Sequence, residues 1–326
     1  MKLPLFLALL LAGCNSFAGT TEEVAFQGED GITLQATLVK PRTAAEPVPA
    51  IVLLSGAEKA TRDRMIYKKT GNVFLRRGIA VLVYDKRGAG DSGGDYESTT
   101  YAQLVGDAVG AVRLLQERPD IDSDRIGLFG ASESGWLTPE INERSGGLAF
   151  IINKVGAPLS VRETVAWEVY NDLMADGVPE ASAREQTEVY RRIWEYRIAP
   201  SAVERQALES MLDEWTGRPH SQLPTELTEV TADYVSDISY DPTPFLERMT
   251  TPTLYLYGTE DINIPSARSV QRLEQLAAVG RPVSWHVFEG EGHELGGFRL
   301  SALGYAFADG YAGMIGDFAA RHVRRR

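Results

Sequence analysis

The feature that constrains this chain most is an apolar run that ends abruptly in small residues around a serine. Residues 126–129 have the composition of a buried strand, residues 130–135 have the sequence GASESG, and a helix-compatible segment follows. Where a strand turns directly into a helix, the residue at the turn takes a strained backbone conformation and its neighbours must be small, because the two arms crowd each other. The spacing predicts such a turn at Ser132, whose exposed hydroxyl can act as a nucleophile.

Strand-like and helix-like segments alternate along most of the chain. Residues 50–54, 79–84, 150–155 and 253–257 are further continuous apolar runs, which are typical of strands buried on both faces. Residues 24–39 hold two strand patterns around the turn signal EDG, which indicates an antiparallel hairpin at the edge. The alternation predicts an α/β fold with a mostly parallel central sheet and a ligand site at the carboxyl ends of its strands.

Size and charge narrow the class of protein. The chain has 326 residues and 44% of them are hydrophobic, which is enough for a large globular core. It carries 33 Lys and Arg residues against 45 Asp and Glu residues, a formal charge of −12. An acidic balance of this size argues against a general nucleic-acid binder, which needs a basic face.

The first residues have the pattern of a targeting segment. Lys2 precedes a short apolar run at 3–11, and Cys14, the single cysteine, closes the sequence LAGC, which resembles the lipobox of bacterial lipoproteins. On this interpretation residues 1–20 are a signal peptide and tether. A lipidated Cys14 then anchors the protein to a membrane of the bacterial cell envelope, with the outer membrane favoured. Ordinary cleavage after Ala18, which gives a periplasmic or secreted protein, is the alternative.

The serine turn and one further loop resemble those of the α/β-hydrolase superfamily. Residues 130–135 look like its nucleophile elbow, and the sequence YDKRG at 84–88 is similar to the loop after a strand in its bacterial members. The resemblance covers most of the chain except the middle, and it implies an α/β-hydrolase fold and serine hydrolase activity. Two departures stand out. Ser134 replaces the first glycine after the nucleophile, and Pro139 interrupts the following helix.

A serine hydroxyl needs a base and an orienting acid, which follow the nucleophile in the order acid, then histidine, in this superfamily. His293 lies in the glycine-containing loop EGEGHE after a predicted strand, and it is the predicted base. The loop GTEDINIP after residues 253–257 resembles the superfamily's acid loop, and this match selects Asp261, with its neighbour Glu260 as the alternative. The other histidines lie in the middle segment, in an apolar strand and in the last helix: His220, His286 and His322.

Attack on a carbonyl also requires two backbone N–H groups that bind the developing oxyanion. The N–H of Glu133 is one candidate, because this residue follows the nucleophile and begins a helix. The second is expected in the loop after residues 50–54, where Ala57 is the first choice and its neighbours Ser55 and Glu58 are alternatives. The side chain of Glu133 is interpreted as a carboxylate at a helix start and not as a catalytic acid.

The middle of the chain changes to a helical pattern. Ser160 and Ser201 each stand three residues before a glutamate and begin apolar stretches with helical spacing, as capping boxes do. This helical insertion resembles the cap domains of hydrolases, and its aromatic residues line a substrate pocket or, as the simpler alternative, form its own core. The predicted domain organisation follows the tether at 1–20: core at 21–158, helical cap at 159–245 and core at 246–326.

Two charged clusters have a structural interpretation. Residues 62–64, RDR, can bind a substrate anion, but structural or solvated ion pairs are the favoured interpretation, as for residues 85–87, DKR. A last helix is predicted over 305–322. Arg321 and residues 324–326 complement its dipole, and a membrane-surface or partner role is the alternative.

The predicted protein is a serine hydrolase that cleaves a carboxylic ester through an acyl-enzyme on Ser132, with His293 as base and Asp261 as orienting acid. A peptidase of the prolyl-oligopeptidase-like type is the first alternative, although an acidic helix for a substrate amine is not evident. A catalytically silent envelope lipoprotein that binds a ligand or partner is the second. The sequence implies a small acyl substrate and no metal, organic cofactor or nucleic acid, and it indicates no oligomeric state.

Overall fold

The structure of the protein is a computed structural model that describes residues 16–43, 47–227, 238–299 and 304–324. The proposed lipidation site Cys14, the preceding signal segment and Arg325 and Arg326 lie outside these residues. Within the described ranges, the helices are too short or too polar to cross a lipid bilayer.

The core is an eight-stranded sheet with the strand order β1-β2-β4-β3-β5-β6-β7-β8. β2 pairs antiparallel with both β1 and β4, and every pairing from β4 to β8 is parallel. The strands are β1 Thr20–Gln27, β2 Thr33–Lys40, β3 Val48–Leu53, β4 Ala80–Tyr84, β5 Ile121–Ala131, β6 Phe150–Lys154, β7 Thr253–Gly258 and β8 Val283–Phe288, with a separate hairpin of β9 Gly296–Arg299 and β10 Gly304–Phe307.

The predicted mostly parallel sheet is confirmed, and burial explains it. The central strands β3, β4, β6 and β7 are almost entirely buried, as their continuous apolar runs predict for strands covered by helices on both faces. The helices are α1 Met65–Leu75, α2 Tyr101–Gln116, α3 Glu133–Arg144, α4 Val161–Ala175, α5 Glu180–Ile198, α6 Ala202–Trp215, α7 Thr243–Leu246, α8 Ser266–Ala278 and α9 Tyr311–His322. Parallel pairing aligns the carboxyl ends of β3 to β8, where the candidate site lies.

The last helix differs from the prediction. Residues 305–307 belong to strand β10, and α9 begins only at Tyr311, after Gly310 at a φ of 84°. A left-handed residue cannot continue a helix, so the apolar pattern that predicted one element is divided between a strand and a helix.

The described residues between β6 and β7 are mainly helical, and we refer to α4 to α7 as the helical insertion. The hydroxyls of Ser160 and Ser201 accept the N–H groups of Glu163 and Glu204, so both predicted helix starts are confirmed. α5 and α6 pack on each other through a cluster of their own, separate from the main core: Val189, Ile193, Leu208, Leu212, Trp215 and Leu223.

Candidate active site

Ser132 lies at the sharp turn between β5 and α3. Its φ of 52° and ψ of −117° are outside the regions that L-residues ordinarily occupy. Two hydrogen bonds hold this conformation: Ser132 N–H donates to the Lys154 carbonyl of β6 at 2.9 Å, and Gly135 N–H donates to the Ser132 carbonyl at 2.8 Å. The strained turn fixes the direction of the hydroxyl before any substrate binds.

The crowding that the turn predicts is present on both arms. A Cβ at Gly130 would lie 2.6 Å from Thr138 Cγ2, and a Cβ at Gly135 would lie 2.4 Å from the Cα of Gly156, the residue next but one after β6. Both distances are too short for a side chain. The glycine requirement on the helix side therefore falls on position 135, and Ser134 is free to differ.

The two departures from the superfamily pattern are each accommodated by a hydroxyl. Ser134 is buried, and its Oγ accepts the N–H of Ala131 at 2.8 Å and lies 3.0 Å from the Ala131 carbonyl. Pro139 lacks the N–H that would bond the Gly135 carbonyl, and the Thr138 hydroxyl donates to this carbonyl at 3.2 Å instead. Neither residue opens the turn.

The structure brings Ser132, His293 and Asp261 together. His293 Nε2 lies 3.0 Å from Ser132 Oγ, and Nδ1 lies 3.1 and 3.0 Å from the two carboxylate oxygens of Asp261. The Asp261 side chain is fully buried, and its Oδ1 accepts the N–H groups of Asn263 and Ile264 at 2.9 and 3.0 Å. Glu260 is exposed, so the carboxylate that faces the imidazole belongs to Asp261.

The loops that carry the acid and the histidine are packed against each other. A Cβ at Gly258 would lie 2.0 Å from the Glu291 carbonyl, which also accepts the N–H of Glu260 at 3.0 Å. Only glycine permits this approach. Asp261 and His293 are consequently held as one unit at the ends of the neighbouring strands β7 and β8.

The loop after β3 approaches the serine closely. A Cβ at Gly56 would lie 3.3 Å from Ser132 Cβ, so the backbone of this loop lies against the nucleophile. The N–H of Glu58 is already donated to the Gly56 carbonyl at 2.8 Å, whereas Ala57 is exposed among the residues that line the pocket. Glu133 is the first residue of α3, and the first N–H groups of a helix have no acceptor within the helix. Of the three candidates after β3, Glu58 is the one whose N–H is already bonded within the loop.

Ser132 and His293 open into a pocket of about 990 Å³. Helix α4 contributes Val161, Val165 and Glu168 to its wall, so the helical insertion reaches the site. Trp215 is instead buried in the insertion's own cluster, as the core interpretation predicts, whereas Trp194 is buried in the main core. Other apolar walls come from both halves of the core: Met65, Leu104, Phe129, Trp136, Tyr305 and Phe307.

Glu168 is a half-buried acidic side chain of the pocket that forms no salt bridge with the described residues. It accepts a hydrogen bond from Asn263 Nδ2 at 2.7 Å, and burial raises the pKa of its carboxyl despite this bond. By contrast, Glu294 pairs with Lys154 at 3.1 Å, which overcomes the effect of burial and lowers the pKa of Glu294. A cationic or hydrogen-bond-donating part of a substrate would relieve the desolvation of Glu168.

Most of the charged residues of the two clusters form structural ion pairs, as predicted. Arg62 contacts the buried Asp85, and Arg87 forms a buried pair with Asp107 at 2.7 Å. Lys86 and Arg64 also line the pocket, where Lys86 pairs with Glu133 at 2.6 Å and Arg64 pairs with Glu58. Sequence reasoning missed the pocket positions of Lys86, Lys154 and Glu168. Both lysines lie at the carboxyl end of a strand: Lys86 follows β4 and Lys154 is the last residue of β6. This position is the sequence signal that could have identified them.

The parallel sheet, the strained serine turn and the imidazole between a serine and a buried carboxylate define a serine hydrolase of the α/β-hydrolase superfamily. The chain belongs to the X-Pro dipeptidyl-peptidase (S15) family, whose model matches residues 30–293. This match ends at the histidine of the site. The family and the geometry of the site together support serine hydrolase chemistry.

Known relatives are distant but consistent with this class. The chain is 26% identical to esterase EstD of Thermotoga maritima over 67% of this chain and 48% of the relative, and 32% identical to thiohydrolase aneE of Aspergillus aculeatus over 36% of this chain and 35% of the relative. It thus spans about half, or less, of the length of these curated relatives. The fold is similar to that of esterase Pf2001 of Pyrococcus furiosus, with a TM-score of 0.59 at 15% identity over 94% of this chain and 92% of that chain.

Proposed function

We propose that the protein hydrolyses a carboxylic ester through an acyl-enzyme intermediate on Ser132. The observation that carries the proposal is the chain of contacts from Ser132 Oγ through His293 to the buried Asp261 carboxylate. Asp261 accepts a hydrogen bond from Nδ1–H, which leaves Nε2 as the acceptor that faces the serine. His293 is then the general base and Asp261 the orienting acid.

The first half-reaction forms an ester on the enzyme. Ser132 Oγ attacks the substrate carbonyl carbon while its proton moves to His293 Nε2, and the carbonyl oxygen becomes an oxyanion bound by the N–H groups of Ala57 and Glu133. The carbon–oxygen bond to the leaving alcohol breaks as the imidazolium returns the proton to that alcohol. Water repeats the sequence in the second half-reaction and releases the acid and free Ser132.

An ester is the preferred substrate because its leaving alkoxide requires little assistance. The names of the relatives EstD and Pf2001 agree with this choice, and the mostly apolar walls of the pocket suit an acyl chain or an aryl group. The helical insertion is the proposed cap over the site, in the core, cap and core order predicted above. Val161 and Val165 of α4 are the residues through which it would select the substrate.

An active-site fluorophosphonate probe tests the nucleophile. Labelling of the folded wild-type protein and loss of labelling in Ser132→Ala are expected, together with loss of p-nitrophenyl ester hydrolysis. The matched control is Ser134→Gly, which removes the neighbouring hydroxyl and restores the superfamily pattern, and it should still be labelled. Labelling that survives in folded Ser132→Ala would contradict the proposal.

A peptidase is the second candidate, and Glu168 favours it. Its carboxylate lies at the pocket wall and forms no salt bridge with the described residues, so it can bind the free amine of a short peptide, and the family match is to X-Pro dipeptidyl-peptidases. The test compares an X-Pro aminoacyl amide with its N-acetylated form. A peptidase should prefer the free amine at least about tenfold and lose this preference in Glu168→Gln, as expected for one buried charge pair. Turnover of simple esters without turnover of either amide would exclude it.

The proposed location is the bacterial cell envelope, with a lipid on Cys14. The support is the lipobox-like sequence LAGC at 11–14. Expressed with its own leader, the wild-type protein should fractionate with membranes and Cys14→Ser should not. A soluble wild-type protein that begins at Gly19 would instead support ordinary cleavage after Ala18.

A further inference from the structure

Lys86 occupies an unusual position for an ammonium group. It follows β4, its side chain is only 6% exposed, and Nζ lies 5.4 Å from the centre of the Tyr96 ring. Nζ donates to two groups, the Gly56 carbonyl at 3.0 Å and the Glu133 carboxylate at 2.6 Å. Burial of a lysine is unfavourable unless its charge is paired, so this position requires both partners.

The two partners of Lys86 are connected to the two N–H groups proposed for the oxyanion. Gly56 supplies the carbonyl of the peptide unit whose N–H belongs to Ala57. A trans peptide is planar, with its C=O and N–H pointing in opposite directions, so a donor that fixes the Gly56 carbonyl also fixes the direction of the Ala57 N–H. Glu133 is the residue that carries the second N–H.

The Gly56 carbonyl has two donors among the described contacts, and only Lys86 comes from outside the loop. The other donor is the N–H of Glu58 at 2.8 Å, which belongs to the same loop. Lys86 follows β4, its N–H donates to the Ala60 carbonyl of that loop at 2.9 Å, and its side chain reaches the Glu133 carboxylate at the start of α3. The ammonium therefore connects the loop after β3 to the helix that begins behind Ser132.

We infer that Lys86 is a positioning residue that holds the two halves of the oxyanion hole in register, by bridging the Gly56 carbonyl and the Glu133 carboxylate. This role rests on the proposed function, since it needs Ser132 as the nucleophile and Ala57 and Glu133 as the donors. Lys86 touches neither the nucleophile nor the histidine in any contact that the structure describes. Its effect belongs to the transition state, where the oxyanion exists, and not to substrate binding.

The test is Lys86→Met, which keeps the length and apolar stem of the side chain and removes the ammonium. We expect kcat for a p-nitrophenyl ester to fall about 10- to 100-fold, less than the loss of a whole oxyanion donor, with KM changed less than about threefold. A trifluoromethyl ketone is the second readout. Its carbonyl carbon takes a bond from Ser132 Oγ, the proton passes to His293, and the carbonyl oxygen becomes an oxyanion. Its affinity should fall by the same factor as kcat.

Two further variants separate positioning from its alternatives. The double variant Lys86→Met with Glu133→Gln removes the carboxylate that the single variant leaves unpaired, and its kcat should stay low. The matched control is Arg87→Met, the next residue, which breaks the buried pair with Asp107 outside the pocket. It should lower Tm and leave kcat within about twofold.

The inference is overturned if Lys86→Met keeps kcat and ketone affinity within twofold, if the double variant regains wild-type kcat, or if Arg87→Met loses as much kcat as Lys86→Met. The proposed function fails separately. In that case folded Ser132→Ala would still hydrolyse the ester, whatever the behaviour of the Lys86 variants.

Discussion

At the scale of single residues, the positions where no side chain fits determine the serine turn more than the superfamily pattern does. Ser134 occupies a glycine position of that pattern, yet its hydroxyl bonds back to Ala131 and fills its space without strain. The position that tolerates no side chain is Gly135, because the backbone of Gly156 passes directly over it. A buried contact between two backbones cannot relax by a change of rotamer.

Gly135→Ala should therefore be severely destabilising. The added methyl group would meet the Gly156 Cα at 2.4 Å and would push α3 away from β6, and overpacking of this kind costs about 1–3 kcal/mol or more. Urea denaturation measures the loss. The control is Gly313→Ala in α9, where an added Cβ meets nothing within 4 Å and better helix propensity should raise stability by up to about 1 kcal/mol. Equal stabilities for the two variants would contradict the role of the contact.

In contrast to Gly135→Ala, a substitution that removes the charge of Glu168 should raise the stability of the protein. A carboxyl whose pKa is raised by folding binds its proton more tightly in the folded state, so stability falls as pH rises from the unfolded pKa through the raised folded pKa and stays lower above it. Glu168→Gln keeps the oxygen that accepts from Asn263 and removes the charge. We expect its Tm to exceed that of the wild type by a few degrees at pH 7 to 8, and the difference to vanish near pH 4, where both side chains are neutral.

Calorimetry over this pH range is the measurement. Glu260→Gln is a suitable control, because Glu260 is exposed and its removal should leave Tm unchanged at both ends of the range. A Glu168→Gln protein less stable than the wild type at pH 8 would mean that the pocket already compensates the charge.

At the scale of elements, an acidic residue at the amino end of β5 connects the antiparallel part of the sheet to the parallel part. Asp120 accepts from Lys40 at the end of β2 at 2.7 Å and from Arg118 after α2 at 2.8 Å, and Arg118 also pairs with Glu22 of β1. These donors hold the pKa of Asp120 far below its usual value of 3.8. The network fixes β1 and β2, the strands with the fewest parallel neighbours.

Asp120→Asn should lower the free energy of unfolding at pH 7 by about 1 kcal/mol, a value typical of a partly exposed ion-pair network. A carboxylate with a lowered pKa stabilises folding above the unfolded pKa, and this contribution is lost as pH falls through the folded value. The gap between variant and wild type should therefore be full at pH 7 and narrow progressively below pH 3.8.

Denaturant titrations at pH 7 and pH 3 give the comparison. Asp317→Asn breaks the exposed pair with Arg77 and should change stability by less than about 0.5 kcal/mol at both values. A gap for Asp120→Asn that is independent of pH would show that shape and not charge holds these strands.

At the scale of the whole molecule, the sequence was sufficient for the sheet and for the residues that the fold brings together at Ser132. Buried strands leave continuous apolar runs, and a strand-to-helix turn leaves its small residues, so both are local signals. Glycine-containing loops after β7 and β8 marked Asp261 and His293 in the same way. Each of these signals is contained in a few consecutive residues.

The features that sequence reasoning missed depend on residues far apart in the chain. Lys86 and Glu133 meet across the pocket although 47 positions separate them, and Glu168 faces the site only because α4 packs beside the acid loop. Tyr305 and Phe307 follow an apolar pattern that a strand and a helix share, and the left-handed Gly310 decides between the two. In short runs, hydrophobic periodicity does not distinguish a strand from a helix.

The position of β8 in the sheet has a consequence for how the enzyme would fail on heating. β8 is an outer strand with a single neighbour, and the loop that follows it carries His293, whereas Ser132 follows β5 in the middle of the sheet. Outer strands open at lower free energy than central ones. Thermal inactivation should therefore begin below the temperature of global melting, as the base departs from a nucleophile that is still in place.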